Sequence, residues 1–421
     1  MPLTHPALVD CVDIITRMQT QSALQRARQF MRSPQGARLA MWLVFFIYWA
    51  GMAATFPYIS LYYESKGLLG AQIGQLNSIR SFIVFFSSIL FAFLSDVSRR
   101  HLLVLRVCIL GMIAALLLFP GAASFTAFIP VVLMLSIFNA PVNPILDETT
   151  LSTLDDPRDY GKLRVGGSYG WGVVVLATGF LIERLSIGLG AIFYIQVLFM
   201  LLLFLLTFIM PEARAATGGD HQRPTLQDLW LLMRQPGILM VVAFTLIWGM
   251  GESGVGNFLF LHMKYLGGSS GLMGIAMTSA LIGEIAVFSF TNQLQARLGA
   301  KRMMVLSFFI QFVWFSGLSL IRNPQVIPFF QFFGGASFGM MQAGSVAYVD
   351  ACTPKNLGTT AQAIRGGVLL GLGIGVGSII NGFIFENSGS VALFRFTSLL
   401  ALVGLLFGLV AFVLIRQRAR R

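Results

Sequence analysis

The amino-acid sequence predicts an all-α membrane protein with twelve transmembrane helices arranged as two six-helix repeats. Hydrophobic residues make up 56% of the 421-residue chain and charged residues only 11%, whereas about a quarter of the residues in an average soluble domain are charged. The apolar residues also form long runs, and a membrane-spanning helix needs about 20 of them. A soluble enzyme is therefore excluded.

Twelve apolar runs, separated by turn residues and charges, define the predicted spans. They cover 39–63, 72–95, 102–120, 124–147, 162–183, 187–210, 237–262, 271–293, 302–321, 326–349, 361–385 and 390–415. A long polar stretch divides the spans into two sets of six. The predicted organisation is a cytoplasmic N-terminal extension (1–38), a first bundle (39–210), a cytoplasmic central loop (211–236), a second bundle (237–415) and a basic tail (416–421).

The net charge of +12 follows the predicted membrane topology and does not indicate a nucleic-acid partner. Most of the 29 lysine and arginine residues lie in the tails and in the loops that share a side with the N-terminus. Because cytoplasmic loops carry an excess of basic residues, we expect both termini in the cytoplasm. We expect a multi-pass monomer in the bacterial inner membrane, in contact with the lipid bilayer.

An arginine followed by glycines at the same offsets occurs once in each half. Segment five contains this pattern from Arg164 to Gly172, and segment eleven contains it from Arg365 to Gly373. Glycines spaced by four along a helix form a groove that lets a neighbouring backbone approach closely. The shared spacing and position therefore indicate that the halves are structural repeats.

The basic loops after segments two and eight resemble the signature of the major facilitator superfamily, an acid followed by Arg-x-Gly-Arg-Arg or Lys. The candidate gating residues are Asp96, Arg99, Arg100, Arg297, Gly299, Lys301 and Arg302. Arg99 stands where the first copy should have glycine, and Ala296 stands where the second should have an acid. Two parallel six-helix halves are the plan of this superfamily. The resemblance implies a transporter whose loops latch the halves together on the cytoplasmic side.

Ionisable and aromatic residues converge where segments four and five meet. Segment four ends with Asp147 and Glu148, and segment five begins with Arg164, Ser168 and Trp171. A charge at the centre of a membrane helix costs roughly 2.5–3.5 kcal/mol, so such charges seldom lack a function. An acid–arginine pair can hold hydroxyl groups or a carboxylate, and an indole two turns along the same face can support a ring. A structural ion pair with an anchoring tryptophan is the alternative.

Further charges lie inside apolar segments. Glu284 lies in the middle of segment eight, and Glu252 lies among glycines in segment seven. Burial disfavours the charged form of a carboxyl group, which suits a group that must gain and lose a proton. We expect Glu284, Glu252 or Asp147 to carry protons, and a purely structural carboxyl is the alternative. Arg80, inside segment two, is expected to pair with Glu64 or to extend outward.

The run Tyr160-Gly-Lys-Leu-Arg164-Val-Gly-Gly-Ser168-Tyr-Gly-Trp171 resembles the segment-five motif of the lactose permease family, aromatic-Gly-Arg-x-Arg-x-x-Gly-Cys-x-Gly-Trp. In that family the second arginine pairs with a segment-four glutamate to hold the sugar, and the tryptophan stacks on the sugar. The resemblance implies these roles for Arg164 and Trp171, with Ser168 in the cysteine's position. Asp147 matches the glutamate only after a shift of one residue, so Glu148 also stays a candidate.

The resemblance to this family extends along most of the chain. Ile282-Gly283-Glu284 is similar to the family's Gly-Glu step and implies that Glu284 also contacts the substrate. The paired asparagines and prolines of segment four and the glycine spacing of segment eleven resemble those of phenylpropionate permeases and nucleoside–proton symporters. The proton-coupling arginine and histidine–glutamate pair of lactose permease have no match, because Trp314, Gly334 and Ser337 lie near those positions. Lactose itself is therefore not the expected substrate.

The sequence predicts a secondary transporter that imports a small polar solute together with protons by alternating access. A sugar, an oligosaccharide or a nucleoside is favoured, and an aromatic acid comes next. The alternatives are a proton-driven exporter of drugs or metabolites, and a membrane sensor or scaffold. An enzyme, a cofactor and a metal are not expected, because the sequence contains no nucleotide-binding loop, nucleophile motif or His/Cys/Asp cluster.

Overall fold

A computed structural model describes residues 34–98, 101–154, 159–185, 188–210, 234–353 and 357–418. Every regular element in these ranges is helical, which confirms the predicted fold class. Arg99 and Arg100, most of the N-terminal extension and most of the central loop lie outside the described residues.

The described part of the first half contains eight α-helices. They are α1 (Pro34–Thr55), α2 (Ile59–Ser65), α3 (Gly70–Ser98), α4 (His101–Leu118), α5 (Phe125–Asn139), α6 (Val142–Thr153), α7 (Tyr160–Arg184) and α8 (Ala191–Leu206). Pro57 lies in the turn between α1 and α2, and Pro141 lies between α5 and α6. Because proline has no backbone N–H, it interrupts the helical hydrogen bonds of these two spans.

The second half contains seven α-helices within the described residues. They are α9 (Pro236–Tyr265), α10 (Ser270–Ser289), α11 (Thr291–Leu298), α12 (Ala300–Leu320), α13 (Ile327–Cys352), α14 (Gly358–Gly367) and α15 (Ile374–Arg418), with a π-helical segment at Val368–Gly373. Gly389 interrupts α15 with φ 79° and ψ 175°. Glycine tolerates this positive φ, and the break separates the last two predicted spans.

Eight helical segments of the described ranges are long and apolar enough to cross a membrane. One of them, Ile364–Val410, contains the Gly389 break and covers parts of two predicted spans. The chain is therefore a multi-pass membrane protein, while the full count of twelve spans stays a prediction.

The two halves share a regular correspondence over their first two spans. Gly67 and Gly267 both have positive φ, at 81° and 80°, and each is followed by a helix that begins three residues later, at Gly70 and Ser270. Over these two spans each residue thus corresponds to the residue 200 positions later, as Glu64 does to Lys264. This spacing supports the predicted repeat.

The glycines of segment five allow α1 and α7 to pack closely, as the sequence predicts. A Cβ atom at Gly170 would lie 2.2 Å from the carbonyl oxygen of Phe46. No side chain fits at that distance, so the close approach requires glycine. The result is that the residues of α7 near Arg164 face the aromatic residues of α1.

Candidate functional site

The predicted acid–arginine pair forms between α6 and α7. The Arg164 Nε atom lies 3.9 Å from Asp147 Oδ1, and the two side chains are 32% and 31% exposed. The Tyr160 hydroxyl donates to Asp147 Oδ1 at 2.8 Å, and the Asn143 amide donates to Asp147 Oδ2 at 3.0 Å. The carboxylate is therefore held by α6 and α7 together, whereas the guanidinium, with five N–H donors, can still bind a solute.

Glu148 does not face Arg164. Its Oε2 atom lies 3.4 Å from Nδ1 of His101 on α4, and its side chain is 50% exposed. Successive residues of a helix point in directions about 100° apart, so Asp147 and Glu148 cannot both face α7. Of the two candidate acids, Asp147 therefore pairs with Arg164 and Glu148 does not, and contact of Glu148 with a solute stays a prediction.

A row of aromatic rings runs from Arg164 to a second arginine. The Arg164 Cζ atom lies 4.9 Å from the centroid of the Trp49 ring. The ring centroids of Trp49 and Trp171 are 6.0 Å apart, and those of Trp171 and Phe56 are 5.9 Å apart. The Arg80 Cζ atom lies 4.0 Å above the Phe56 ring. We call Trp49, Trp171 and Phe56 the aromatic row; a guanidinium lies at each end of it.

The expected pairing of Arg80 with Glu64 is wrong. Glu64 accepts a hydrogen bond from Nζ of Lys264, which belongs to the other half. Arg80 instead stacks on Phe56, an arrangement in which the ring's electron-rich face attracts the cation.

The two predicted acids of the second half lie on α9 and α10. Glu284 on α10 and Glu252 on α9 are partly exposed. Helix α10 packs against α7, where the Thr278 hydroxyl donates to the Gly172 carbonyl oxygen at 3.4 Å. The Oε2 atom of Glu252 is inaccessible and has no hydrogen-bond partner among the described residues. Ser168, one turn beyond Arg164, is partly exposed. Asp147, Arg164, Ser168 and Trp171 thus lie on α6 and α7, and Glu284 lies on the helix of the other half that contacts α7.

The model of the MFS_1 like family matches residues 38–396. The chain belongs to this family. Maltose permease of Geobacillus stearothermophilus is 25% identical over 370 residues, which cover 86% of this chain and 92% of the permease. A probable 3-phenylpropionic acid transporter of Escherichia coli strain K12 is 24% identical over 352 residues, covering 83% of this chain and 92% of that protein.

The crystal structure of the nucleoside transporter NupG has the same fold as this chain. It aligns with a TM-score of 0.78 at 16% identity, covering 90% of this chain and 99% of that one. The predicted superfamily is therefore confirmed. The protein is a major facilitator transporter, which binds a small-molecule substrate within the membrane, and it is not an enzyme.

The two halves of this transporter are joined at the end where α3 and α10 begin. Glu386 Oε2 accepts a hydrogen bond from the Ala71 backbone N–H at 2.8 Å. Glu183 Oε2 accepts one from the Gly271 backbone N–H at 2.7 Å. Each acid comes from one half and meets the first turn of a helix in the other half, where backbone N–H groups lack helical partners and the helix dipole favours a negative charge.

These two caps are one structure used twice. The acids end the sequences Gly179-Phe-Leu-Ile-Glu183 and Gly382-Phe-Ile-Phe-Glu386. A Cβ atom at Gly179 would lie 2.4 Å from the Ser270 carbonyl oxygen, and one at Gly382 would lie 2.6 Å from the Gly70 carbonyl oxygen. The sequence analysis missed both acids, although the repeated Gly-Phe-x-x-Glu pattern could have revealed them. We call these two contacts the paired caps.

The predicted gating residues are only partly described. Asp96 lies in the last turn of α3 and Arg297 in the last turn of α11. Gly299 has φ 73° between α11 and α12, and Lys301 Nζ lies 5.3 Å from the Tyr348 ring of its own half. Arg302 lies in α12, and the latch role of these loops stays a prediction.

Proposed function

We propose that this transporter imports a small polar solute together with protons across the bacterial inner membrane. The observation that carries the proposal is that Arg164 and Asp147 pair between α6 and α7, while Glu284 lies on α10, the helix of the other half that contacts α7. A sugar, an oligosaccharide or a nucleoside is the favoured solute, and an aromatic acid comes next. Maltose, nucleoside and 3-phenylpropionic acid transporters occur among the similar proteins, which supports these classes of solute.

Each site residue has a distinct role in this proposal. Arg164 binds oxygen atoms of the solute with its planar fork, and Asp147 keeps that fork oriented. Trp171 supports a ring of the solute, and Ser168 supplies a hydroxyl one turn beyond Arg164. Because rings and hydrogen-bonding groups occupy the same face of α7, a ring that carries polar substituents fits it best.

Glu284 is the proposed proton carrier, with Glu252 beside it. A buried carboxylate is costly unless it is paired. Binding a proton removes the charge, so the halves can close around the loaded site and reopen on the other side. Asp147 is the further candidate, but its two hydrogen-bond donors, Tyr160 and Asn143, favour a fixed carboxylate.

The paired caps suggest which side of the membrane the site faces. With both termini in the cytoplasm, α3 and α10 begin at the outer surface and α7 begins at the inner surface. The caps then close the outer side, and Arg164 and Asp147 are reached from the cytoplasm. Alternating access requires the caps to break when the outer side opens. The protein acts as a monomer in this scheme.

Transport in proteoliposomes tests the proposal. Wild-type protein should accumulate a solute from a panel of sugars, nucleosides and aromatic acids when an inward proton gradient is imposed. Glu284→Gln should abolish accumulation against a gradient but keep exchange of solute at equal concentrations. Asp350→Asn, which removes an exposed acid at the end of α13, is the control and should leave both unchanged. Full accumulation by Glu284→Gln would rule out Glu284 as the carrier.

A further inference from the structure

Arg80 lies in α3, is partly exposed, and forms no ion pair with any acid of the described residues. Its guanidinium stacks on Phe56, and the ion pairs of the described residues join other groups. A cation in a membrane helix is costly, and such residues usually pair with an acid, a carbonyl group or a solute. Stacking on one ring compensates only part of that cost. The position of Arg80 therefore indicates a negatively charged partner that the described residues do not supply.

The fold itself does not require an arginine at this position. The residue 200 positions after Arg80 is Ala280, which lies in α10 at the same distance from the helix start. A neutral, small residue thus serves in the corresponding helix of the second half. Two members of the aromatic row also lack counterparts, because Trp49 and Phe56 correspond to Gly249 and Gly256. The rings and Arg80 form a feature of the first half alone.

The charges around the aromatic row leave one positive charge unbalanced. At the Arg164 end, Asp147 provides a carboxylate at 3.9 Å. At the Arg80 end, no carboxylate of the described residues is within ion-pairing distance. Glu284 is the proposed site of the proton and is neutral when it carries one. A neutral solute would leave the Arg80 charge unpaired, whereas a solute with one acidic group would balance it.

We propose that Arg80 binds a carboxylate of the solute while a ring of the solute lies against the aromatic row. The inference rests on the proposed function and narrows its substrate class to ring-bearing organic acids, such as sugar acids and aromatic acids. The guanidinium fork can hold a carboxylate with two parallel hydrogen bonds, and Phe56 keeps the fork in place from the opposite face.

Matched pairs of ligands test this inference with the purified full-length protein. The first pair is methyl glucoside and methyl glucuronide, and the second is 3-phenylpropanamide and 3-phenylpropionate; within each pair only one member carries a carboxylate. Binding is measured by ligand-induced thermal stabilisation. The wild type should bind the acid of a pair at least about tenfold more tightly than the neutral member, a difference of about 1.4 kcal/mol.

Three variants locate this preference. In Arg80→Gln, the ratio of the affinities for the acidic and the neutral ligand of a pair should fall to about one. The neutral ligand should bind as it does to the wild type, which shows that the site is still folded. Arg80→Lys keeps the charge without the fork and should retain part of the preference. Arg80→Ala introduces the residue type of the second half and should behave like Arg80→Gln.

The outcomes separate this inference from the function on which it rests. Equal or tighter binding of the neutral members would overturn the inference and leave the ring-binding transporter intact. A preference for the acids that survives in Arg80→Gln and Arg80→Ala would also overturn it. If none of the four ligands binds, the proposal that the aromatic row binds a ring of the solute would be wrong, and the inference about Arg80 would be wrong with it.

Discussion

Arg164 and Arg365 occupy matching positions in the two halves, but only one of them is fully engaged by the protein. Arg365 donates to Gln342 Oε1 at 2.7 Å, to Ser345 Oγ at 3.2 Å and to Gln362 Oε1 at 2.9 Å. All three partners are neutral and belong to its own half. Arg164 instead has a carboxylate at 3.9 Å and two aromatic rings, those of Trp49 and Phe45. The same scaffold therefore holds one structural arginine and one that can bind a solute.

The difference extends beyond the arginines. The first half contributes the cations and the aromatic row, whereas the second half contributes Glu252 and Glu284 and has glycines at the positions of Trp49 and Phe56. We infer a division of labour in which the first half binds the solute and the second half binds the proton. A carrier built in this way couples the two only when the halves come together.

Exchanging each arginine for lysine should produce the largest contrast between the halves. In Arg164→Lys, the fork is replaced by a point charge, and solute affinity should fall by about 100-fold, because hydrogen bonds to charged groups contribute roughly 1.5–3 kcal/mol each. In Arg365→Lys, solute affinity should stay unchanged, although the thermal stability should fall as neutral hydrogen bonds are lost. Ligand-binding titrations and thermal melts of both variants measure the contrast. Equal affinity losses would contradict the division of labour.

Removing one ring of the aromatic row should lower the affinity for the solute by an intermediate amount. Trp171→Ala should cost about 1–3 kcal/mol of binding free energy if a solute ring stacks there, by analogy with other aromatic platforms. Leu372 follows Gly371 as Trp171 follows Gly170, so Leu372→Ala is the matched control and should leave affinity unchanged. The same binding titration measures both. A Trp171→Ala affinity close to that of the wild type would assign Trp171 an anchoring role.

Much of this site could be predicted from the sequence because several of its residues are close together in the chain. Arg164, Ser168 and Trp171 lie on one helix, so their spacing alone places them on neighbouring faces. The choice between Asp147 and Glu148 is different, because it depends on the rotation of α6 about its axis after the break at Pro141. A shift of one residue in that break would exchange the two acids, and no local pattern fixes it.

Contacts between the halves could not be predicted from the sequence, because they join residues that are far apart in the chain. The sequence offers Glu64 as one possible partner of Arg80 because both belong to the first two segments, but Lys264, 200 residues away, forms the ion pair with Glu64. Likewise, Trp49 and Phe56 lie in apolar runs where aromatic residues usually serve packing. Only the structure shows that Trp49 and Phe56 belong to a row of rings with an arginine at each end, because the arginines lie on α3 and α7 and these two rings lie on the α1 span.

Neutralising the acids of the paired caps should have the smallest effect of these substitutions. The measured quantity is the equilibrium between the closed and open outer ends, to which we expect both halves to contribute equally. Glu183→Gln and Glu386→Gln each remove one charge from a helix N-terminus, an interaction of about 0.3–1 kcal/mol at exposed sites. Each variant should therefore shift the equilibrium between closed and open outer ends by about two- to fivefold, and the double variant should shift it by the product.

The distance between spin labels on the loops before α3 and α10 would report this shift, because the loops separate when the outer end opens. Asn387→Ala is the control, since the Asn387 side chain donates to Phe383 within its own helix and should leave the distance distribution unchanged. Similar shifts in the two single variants would mean that closure depends equally on both halves, unlike binding. A large shift in one variant alone would instead extend the asymmetry of the binding site to the gate.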